Sequence, residues 1–251
     1  MRRCLLAMVL AMACTSEAGE WTVEAGAGGA ALQTPWKGVD VELTPLPYIS
    51  ARYGRWGFGV GEGLVQYDVL RSPVRLSLGL GYRDETYQSD YALVEYDSDD
   101  RVFAGYDSPD GEVTAHVQLD YSIFHLRLVQ DIEGQSDGAS ALLRADIPLY
   151  RHGSGWQVSA RVGAYWMESV YATEVFGVTG DNVNPALGRY HYTLDDSLNA
   201  IAGAQLYIPL GQRHSLRGFA RYERLDSAIA DSPLVGRAYR AQLGLIFVTR
   251  F

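Results

Sequence analysis

The sequence predicts an all-β fold, a transmembrane antiparallel β-barrel of about 10–12 strands. Three observations lead to this prediction. Segments of about ten residues alternate between apolar and polar side chains, aromatic residues mark the ends of the apolar faces, and the N-terminus resembles an export signal. Beyond that signal, no stretch approaches the roughly 20 apolar residues that a membrane-spanning helix needs.

The N-terminal residues have the pattern of a secretory signal peptide. Arg2 and Arg3 precede an apolar run over residues 5–13, and residues 16–18 supply the small residues expected before a cleavage site. We therefore predict a signal peptide over residues 1–18.

The rest of the chain, residues 19–251, is predicted to be the barrel. Cleavage before Cys14, as in a lipoprotein, is the competing possibility, but Ala11 stands where such signals usually have Leu. Cys4 and Cys14 are the two cysteines of the sequence, so removal of the signal would leave no thiol for a disulfide or a metal. We expect no cofactor.

The charge balance narrows the class of partner. The 251 residues carry a formal net charge of −9, which argues against nucleic acid as a partner. Nearly all basic residues are Arg, with Lys37 as the exception. Arginine suits charges that must pair in a confined space, because its guanidinium group forms fixed bidentate contacts.

Strand alternation is clearest between Trp156 and Trp166. Every second residue there is apolar, and the two Trp side chains bracket small residues, as expected where aromatic girdles flank a lipid-facing band. The other segments with this alternation are 75–83, 112–120, 124–131, 141–149, 198–208, 216–223 and 239–251.

Counting strands leaves one ambiguity. About ten strands fit between Leu43 and Phe251, and the alternating segment at residues 20–32 adds an eleventh, although closed bacterial barrels have even numbers. Either that segment lies outside the wall or one strand has been missed. Glu62 interrupts the apolar face that follows Trp56, so a bulge or register error is expected there.

A soluble β-sandwich is the alternative architecture, because it shows the same alternation. The small residues in the middle of the apolar faces would pack a sandwich core poorly, whereas they are tolerated against lipid. Connection lengths also favour a barrel, since long and short segments alternate along the chain. The turns "DVLRSP", "RHGSG" and "PLGQRH" fall at one end, and the long acidic segments fall at the other.

Many arginines and several carboxylates share the polar faces of these strands. We predict that the following side chains face the lumen: Arg75, Arg83, Arg127, Arg144, Arg161, Arg217, Arg221, Arg240, Asp120, Asp131, Asp146 and Glu223. Rings of Arg can select anions in a pore. An interior filled with ion pairs would instead plug a narrow barrel, and the expected strand number favours this second interpretation.

Two stretches resemble the MipA/OmpV family of outer-membrane proteins, named for interaction with the lytic transglycosylase MltA. One is "EAGAGGAALQTPWKGVDVELTPLPYISARYG" near the start; the other is "RYERLDSAIADSPLVG" with "LGLIFVTRF" near the end. The similarity extends over essentially the whole mature chain, and its most specific motif is Asp231-Ser232-Pro233. On local chemistry alone, that motif is typical of a turn.

The resemblance implies a barrel in the outer membrane of a Gram-negative bacterium, surrounded by outer-membrane lipid. It also implies a non-enzymatic scaffold that brings a lytic transglycosylase close to a penicillin-binding synthase. Under this hypothesis the short turns form the contact surface. Other relatives resemble porins, adhesins or routes of antibiotic entry, so a narrow pore and a surface adhesin remain alternatives.

The C-terminal aromatics, the acidic stretch and the Ser and His residues have simpler interpretations than a binding or catalytic site. Phe247 and Phe251 on the last strand resemble the signal read by the barrel-assembly machinery, or simply interfacial aromatics. The acidic stretch "YDSDDRVFAGYDSPDG" lacks the spacing of an EF-hand and is expected to be an exposed loop. Ser122 and His125 point in opposite directions on a strand, and His191 falls in a loop, so no catalytic pair is predicted.

Overall fold

The protein forms a closed antiparallel barrel, which confirms the predicted fold class. A computed structural model describes residues 20–60, 63–88 and 98–251; the predicted signal peptide lies outside these residues. The strands of the described part are β1 (Trp21–Gln33), β2 (Glu42–Tyr53), β3 (Trp56–Gly59), β4 (Gly63–Leu70), β5 (Arg75–Arg83), β6 (Glu112–Tyr121), β7 (Phe124–Asp131), β8 (Ala139–Arg151), β9 (Gln157–Met167), β10 (Ser197–Leu210), β11 (His214–Arg224) and β12 (Tyr239–Arg250). Two helices lie in the connections, α1 (Ser169–Phe176) and α2 (Ser227–Ala230).

The structure resolves the ambiguity in the strand count. Strand β1 belongs to the wall, where it pairs with β2 on one side and closes the barrel against β12 on the other. The missing strand lies between residues 56 and 70, where the sequence predicts a bulge or register error near Glu62 and the structure has two strands. Glu62 itself lies outside the described residues. This segment is a hairpin of β3 and β4, with Gly59 and Gly63 at φ values of 92° and 79°. Positive φ favours glycine and allows the sharp reversal that ordinary alternation hides.

The wall has an apolar outer face. Leu43, Leu243 and Leu143 are 80%, 64% and 52% exposed, an arrangement that suits contact with lipid and would be unfavourable in water. Aromatic side chains cluster at one end of this face, where the Trp21 and Tyr53 rings lie 5.0 Å apart. Among the described residues, no helix is long and apolar enough to span a bilayer.

The connections differ in length at the two ends of the barrel, as the sequence predicts. The short-turn end carries the connections 54–55, 71–74, 122–123, 152–156 and 211–213. The long-loop end carries 34–41, 84–111, 132–138, 168–196 and 225–238, together with the reversal between β3 and β4.

A hydrophobic cluster, which we call the cap, covers the long-loop end. Trp36, Phe103 and Phe176 come from three different loops and are each less than a tenth exposed. The Trp36 ring centroid lies 5.2 Å from that of Phe176 and 6.4 Å from that of Phe103. The largest apolar cluster among the described residues therefore lies mainly in the loops, with a few inward residues at the strand ends, because the strands turn most of their apolar side chains outward.

Candidate functional site

The twelve residues predicted to face the lumen lie on the face of the wall opposite the exposed leucines. Contacts that cross the interior give their direction. Arg83 on β5 donates to the Ser140 hydroxyl on β8 (2.8 Å), and Arg217 on β11 donates to Glu24 on β1 (2.8 Å). The barrel interior is therefore the site to examine, and most of its charges are organised into three groups.

The upper group lies below the cap and joins β5, β6 and β8. Arg83 forms a buried ion pair with Glu112, and its guanidinium carbon lies 3.4 Å from the centre of the Tyr171 ring. Glu112 also accepts a hydrogen bond from the Ser136 hydroxyl (2.6 Å). Arg83 and Glu112 are 8% and 2% exposed, so each depends on the other for its charge to be tolerated.

The central group lies around Arg240. Its guanidinium contacts Glu85 at 2.7 Å and Glu223 at 2.9 Å, and Arg221 contacts Glu223 at 2.6 Å. Tyr165 donates a hydrogen bond to Glu85 (2.8 Å). Two arginines thus face two carboxylates, and the formal charges of this group cancel.

Glu85 reaches this group from the loop after β5, outside the membrane-spanning strands. Burial by itself would raise the pKa of the Glu85 carboxyl. The charge of Arg240 and the hydrogen bonds from Arg240 and Tyr165 outweigh that effect, so the pKa is lowered below its ordinary value. The carboxylate is ionised near neutral pH and ties the loop to the wall.

The lower group lies in the half of the barrel nearer the short-turn end. Its members are Arg75, Asp120, His125, Arg144, Asp146 and Arg161. Arg161 makes a bidentate contact with Asp146 (2.6 and 2.9 Å), and His125 lies 2.7 Å from Asp120. Arg75 lies 3.0 Å from Asp120. Bidentate geometry fixes both partners and leaves their charges satisfied within the wall.

The other predicted lumen residues have separate partners. Arg217 pairs with Glu24 and also donates to the Tyr48 hydroxyl (3.0 Å). Arg127 lies 3.3 Å from the His116 ring nitrogen.

Asp131 is not in an ion pair of this kind. Its carboxylate accepts backbone hydrogen bonds from Glu133 (2.8 Å), Ser136 (3.0 Å) and Asp137 (2.8 Å), so it shapes the 132–138 loop.

Several interior residues were missed by sequence reasoning. Glu85 lies in a loop, and Glu24 belongs to the segment whose place in the wall was left open. Glu112 is the first residue of the alternating segment 112–120 but is not among the twelve predicted lumen residues. Local alternation gives the face of a residue, whereas the choice of ion-pair partner depends on strands that are distant in sequence.

The Asp231-Ser232-Pro233 motif lies at the long-loop end. The Ser232 hydroxyl donates to the Phe176 carbonyl (2.6 Å) and accepts from the Leu234 amide (3.2 Å). Lys37 donates to the Pro233 carbonyl (2.7 Å). The motif therefore joins three loops at the cap and lies at the end of the barrel opposite the short turns.

Phe247 and Phe251 lie near the short-turn end and are 45% and 73% exposed. The Phe247 ring stacks on His214 at 5.5 Å, and the Phe251 amide donates to the Val23 carbonyl (2.9 Å). These contacts place both aromatics on the outer surface, near the seam between β1 and β12. Their role as an assembly signal stays a prediction.

An interior cavity of 480 Å³ lies between the cap and the lower group. Arg83, Glu85, Arg221 and Arg240 line it together with apolar side chains such as Leu142. Most charges on its wall are already paired, so the cavity presents a mixed rather than a strongly cationic surface.

The residues considered for metal binding and catalysis are in turns or in ion pairs rather than in a metal or catalytic site. Within residues 20–60, 63–88 and 98–251, no group of three His, Cys, Asp or Glu side chains could hold a metal ion. In the acidic loop, Asp100 accepts the Val102 amide (2.9 Å), which begins a short 3-10 turn. Ser122 lies in a tight turn at φ 56°, while the contacts of His125 are with Asp120 and Asp146.

Comparison with known structures finds other barrels at low sequence identity. A porin is 9% identical with a TM-score of 0.35, covering 92% of this chain and 100% of its own. Neisserial surface protein A is 12% identical with a TM-score of 0.29, covering 94% and 100%. OprB from Pseudomonas putida is 9% identical with a TM-score of 0.38, covering 93% and 94%. Comparison with curated proteins gives no match.

A family comparison is more specific. The family described as MltA-interacting protein MipA matches residues 25–251, which include all of the wall except the first residues of β1. The match agrees with the resemblance seen in the sequence, and the exposed apolar belt agrees with a place in the outer membrane. The chain belongs to the MipA family of outer-membrane β-barrel proteins.

Proposed function

We propose that the protein is a non-enzymatic scaffold that binds a lytic transglycosylase through its short turns, with a penicillin-binding synthase as a second partner. The family description names interaction with MltA, which supports a murein enzyme as the partner. The loop-length rule for outer-membrane barrels assigns the short-turn end to the periplasm, where murein enzymes act.

The observation that carries this proposal is the obstructed interior, in which an enclosed cavity remains but side chains and loops block a path along the barrel axis. Ion pairs occupy the lumen at three levels, and the cap covers the long-loop end. A barrel of twelve strands that is packed in this way gives little support to a water-filled channel. The two ends of the barrel are then the surfaces available for function, and the family description favours the periplasmic one.

The short-turn end has a chemistry that a protein partner can recognise. Arginines lie in or beside its turns: Arg55, Arg71, Arg151, Arg213 and Arg250. Arginine is enriched at protein interfaces because one side chain offers several donors in a fixed geometry. This composition favours an acidic patch on the partner.

The test is an in-cell crosslinking pull-down with tagged protein. The altered protein carries Arg71→Ser, Arg151→Ser and Arg213→Ser, and the matched control carries Arg101→Ser in the opposite loop. We expect the unaltered and control proteins to recover a lytic transglycosylase and the triple variant to lose most of it. Equal recovery by the triple variant would reject the short turns as the contact surface.

Conductance separates the scaffold from the pore. In planar bilayers the purified protein is expected to give no current above that of the protein-free membrane. Steady anion-selective current would favour the pore alternative. Binding of cells that is lost on deletion of residues 90–110 would favour the adhesin alternative.

A further inference from the structure

In the part of the chain that the structure describes, the strands between β2 and β5 reach less far toward the long-loop end than the other strands do. Strand β3 has 4 residues, whereas β2 has 12. Strand β3 pairs with β2 over Ser50–Tyr53, and one more hydrogen bond joins the Val60 amide to the Ile49 carbonyl (2.9 Å). Toward the long-loop end, residues 42–48 of β2 have no strand partner on this side among the described residues.

Backbone geometry fixes the point at which the chain reverses between β3 and β4. Gly63 has a φ of 79°, and a Cβ atom there would lie 2.7 Å from the Leu80 carbonyl oxygen and 2.9 Å from His116. A larger residue at position 63 would be strained by its φ and would clash with backbone. The glycine at position 63 therefore allows the chain to reverse after only four residues of β3.

Two prolines fit the exposed edge of β2. In an antiparallel strand the N–H and C=O of one residue point to the same side, and these directions alternate along the strand. The Ile49 carbonyl points toward β3, so the backbone groups of Pro47 and Pro45 point that way as well. Proline has no N–H, which removes two donors that would otherwise face lipid without a partner. The Thr44 hydroxyl donates to the Pro45 carbonyl (3.2 Å).

The interior cavity lies beside this gap. Gly63, Gly81 and Tyr82, from the strands that border the gap, are among its lining residues. The cap lies above the cavity and the lower group of ion pairs lies below it. Its volume of 480 Å³ falls in the range of about 300–1,000 Å³ that is typical of small-molecule sites.

We propose that the gap between β2 and β5 is a side entrance, through which a single-chain amphiphile passes from the outer half of the bilayer into the cavity. Leu43 on β2 and Leu80 on β5, near the two sides of the gap, are 80% and 42% exposed on the apolar outer face, so the molecule would arrive from lipid rather than from water. The cavity offers apolar surface for part of the chain and polar groups for a head. This proposal goes beyond the scaffold function and does not depend on it.

The chemistry of the head follows from Arg221. Its Nε–H is buried without a hydrogen-bond partner, although the same guanidinium contacts Glu223. A buried donor that lacks a partner is unfavourable, and an acceptor oxygen on the ligand would satisfy it. A long-chain carboxylic acid or alcohol has that combination of apolar chain and acceptor oxygen.

The experiment uses a fatty acid with a diazirine on its chain, mixed into bilayers that contain the full barrel. After illumination, mass spectrometry locates the crosslinks. We expect labels on the inward residues Leu142 and Tyr165 as well as on the lipid-facing Leu143. Labels on Leu143 without labels on inward residues would overturn the proposal, because the probe would then have reached only the outer surface.

A variant that fills the entrance provides the second arm. An added Cβ at Gly81 would point into the cavity, with the Thr114 hydroxyl as its nearest neighbour at 3.3 Å. Gly81→Leu should reduce inward labelling at least several-fold and leave Leu143 labelled. Gly29→Leu is the matched control on the lipid face, where the added Cβ meets only the Thr44 carbonyl at 3.6 Å.

Heat-modifiable migration on gels identifies the folded fraction of each variant. If Gly81→Leu does not fold, Leu142→Trp fills the cavity from β8 instead and Tyr165 becomes the inward reporter. Inward labelling that persists in a folded, filled variant would reject the gap as the route.

Discussion

Arg240 on the last strand lies 2.7 Å from Glu85, which belongs to the loop between β5 and β6. The contact crosses the interior and joins a loop at the long-loop end of the barrel to the last strand, β12. Because Arg240 also contacts Glu223, the loop is attached to a group of charges that already belongs to the wall. The central group around Arg240, the pair of Arg83 and Glu112 above it, and the terminal Phe251 can each be tested by substitution.

Replacing Glu85 with Gln should loosen the loop without unfolding the barrel. Glutamine keeps the shape but loses the ion pair, while Arg240 retains Glu223, so we expect a loss of about 1–3 kcal/mol in the stability of the loop attachment. Limited proteolysis should cut the 98–111 segment faster in this variant. Asp110→Asn, at an exposed position of the same loop, is the control and should behave like the unaltered protein.

Acid should release the same attachment. The pKa of Glu85 is lowered from its ordinary value of 4.5, so the carboxylate stabilises the folded loop above that pH, and this contribution disappears as the pH falls through the lower folded-state pKa. The protection of the loop amides, taken from their exchange rate relative to the intrinsic rate at each pH, should therefore stay constant above about pH 5 and decrease below about pH 4.5. In Glu85→Gln the step in this range should vanish; a step of the same size would assign the release to another group.

The buried pair of Arg83 and Glu112 should show strong coupling. Arg83→Met leaves the Glu112 carboxylate buried without its cation, which is expected to cost about 3–5 kcal/mol. The double change Arg83→Met with Glu112→Leu removes both charges and should recover a large part of that loss. Urea titration of folded protein in detergent measures Arg83→Met, Glu112→Leu and the double variant. A double variant as unstable as the sum of the single changes would contradict the coupling.

Phe251→Ala should lower the amount of folded protein in the outer membrane several-fold if the terminal aromatic is an assembly signal. Folding of the purified chain into detergent should be unchanged, since Phe251 is 73% exposed and contributes little to packing. Phe58→Ala, at another aromatic near the short-turn end, is the control. An equal loss in cells and in detergent would assign Phe251 a structural role.

Much of the wall could be predicted because successive side chains of a strand point to opposite faces, so the two faces appear in the sequence as alternating apolar and polar residues. The segment from Trp156 to Trp166 shows this: its alternating apolar residues lie on the lipid face, and Arg161 lies inside beside Asp146. The hairpin of β3 and β4 could not be predicted in the same way. Its reversal at Gly59 to Gly63 is too short to interrupt the hydrophobic pattern clearly, so two strands resembled one.

The cap could not be predicted either, for a different reason. Trp36, Phe103 and Phe176 lie in loops without periodicity, and their contacts join positions far apart in sequence. The lumen charges could be predicted in part, unlike the cap and less completely than the wall. Alternation identified which arginines share a face, but the carboxylates that neutralise them come partly from a loop and partly from distant strands.

The packed cap has a consequence for recognition from outside the cell. Its exposed surface is assembled from loops that touch only in the folded barrel, so an antibody raised against the intact protein would bind a discontinuous epitope. Short peptides copied from any one loop would not reproduce that surface. Vaccination or phage selection against this end of the molecule therefore requires the folded barrel as the antigen.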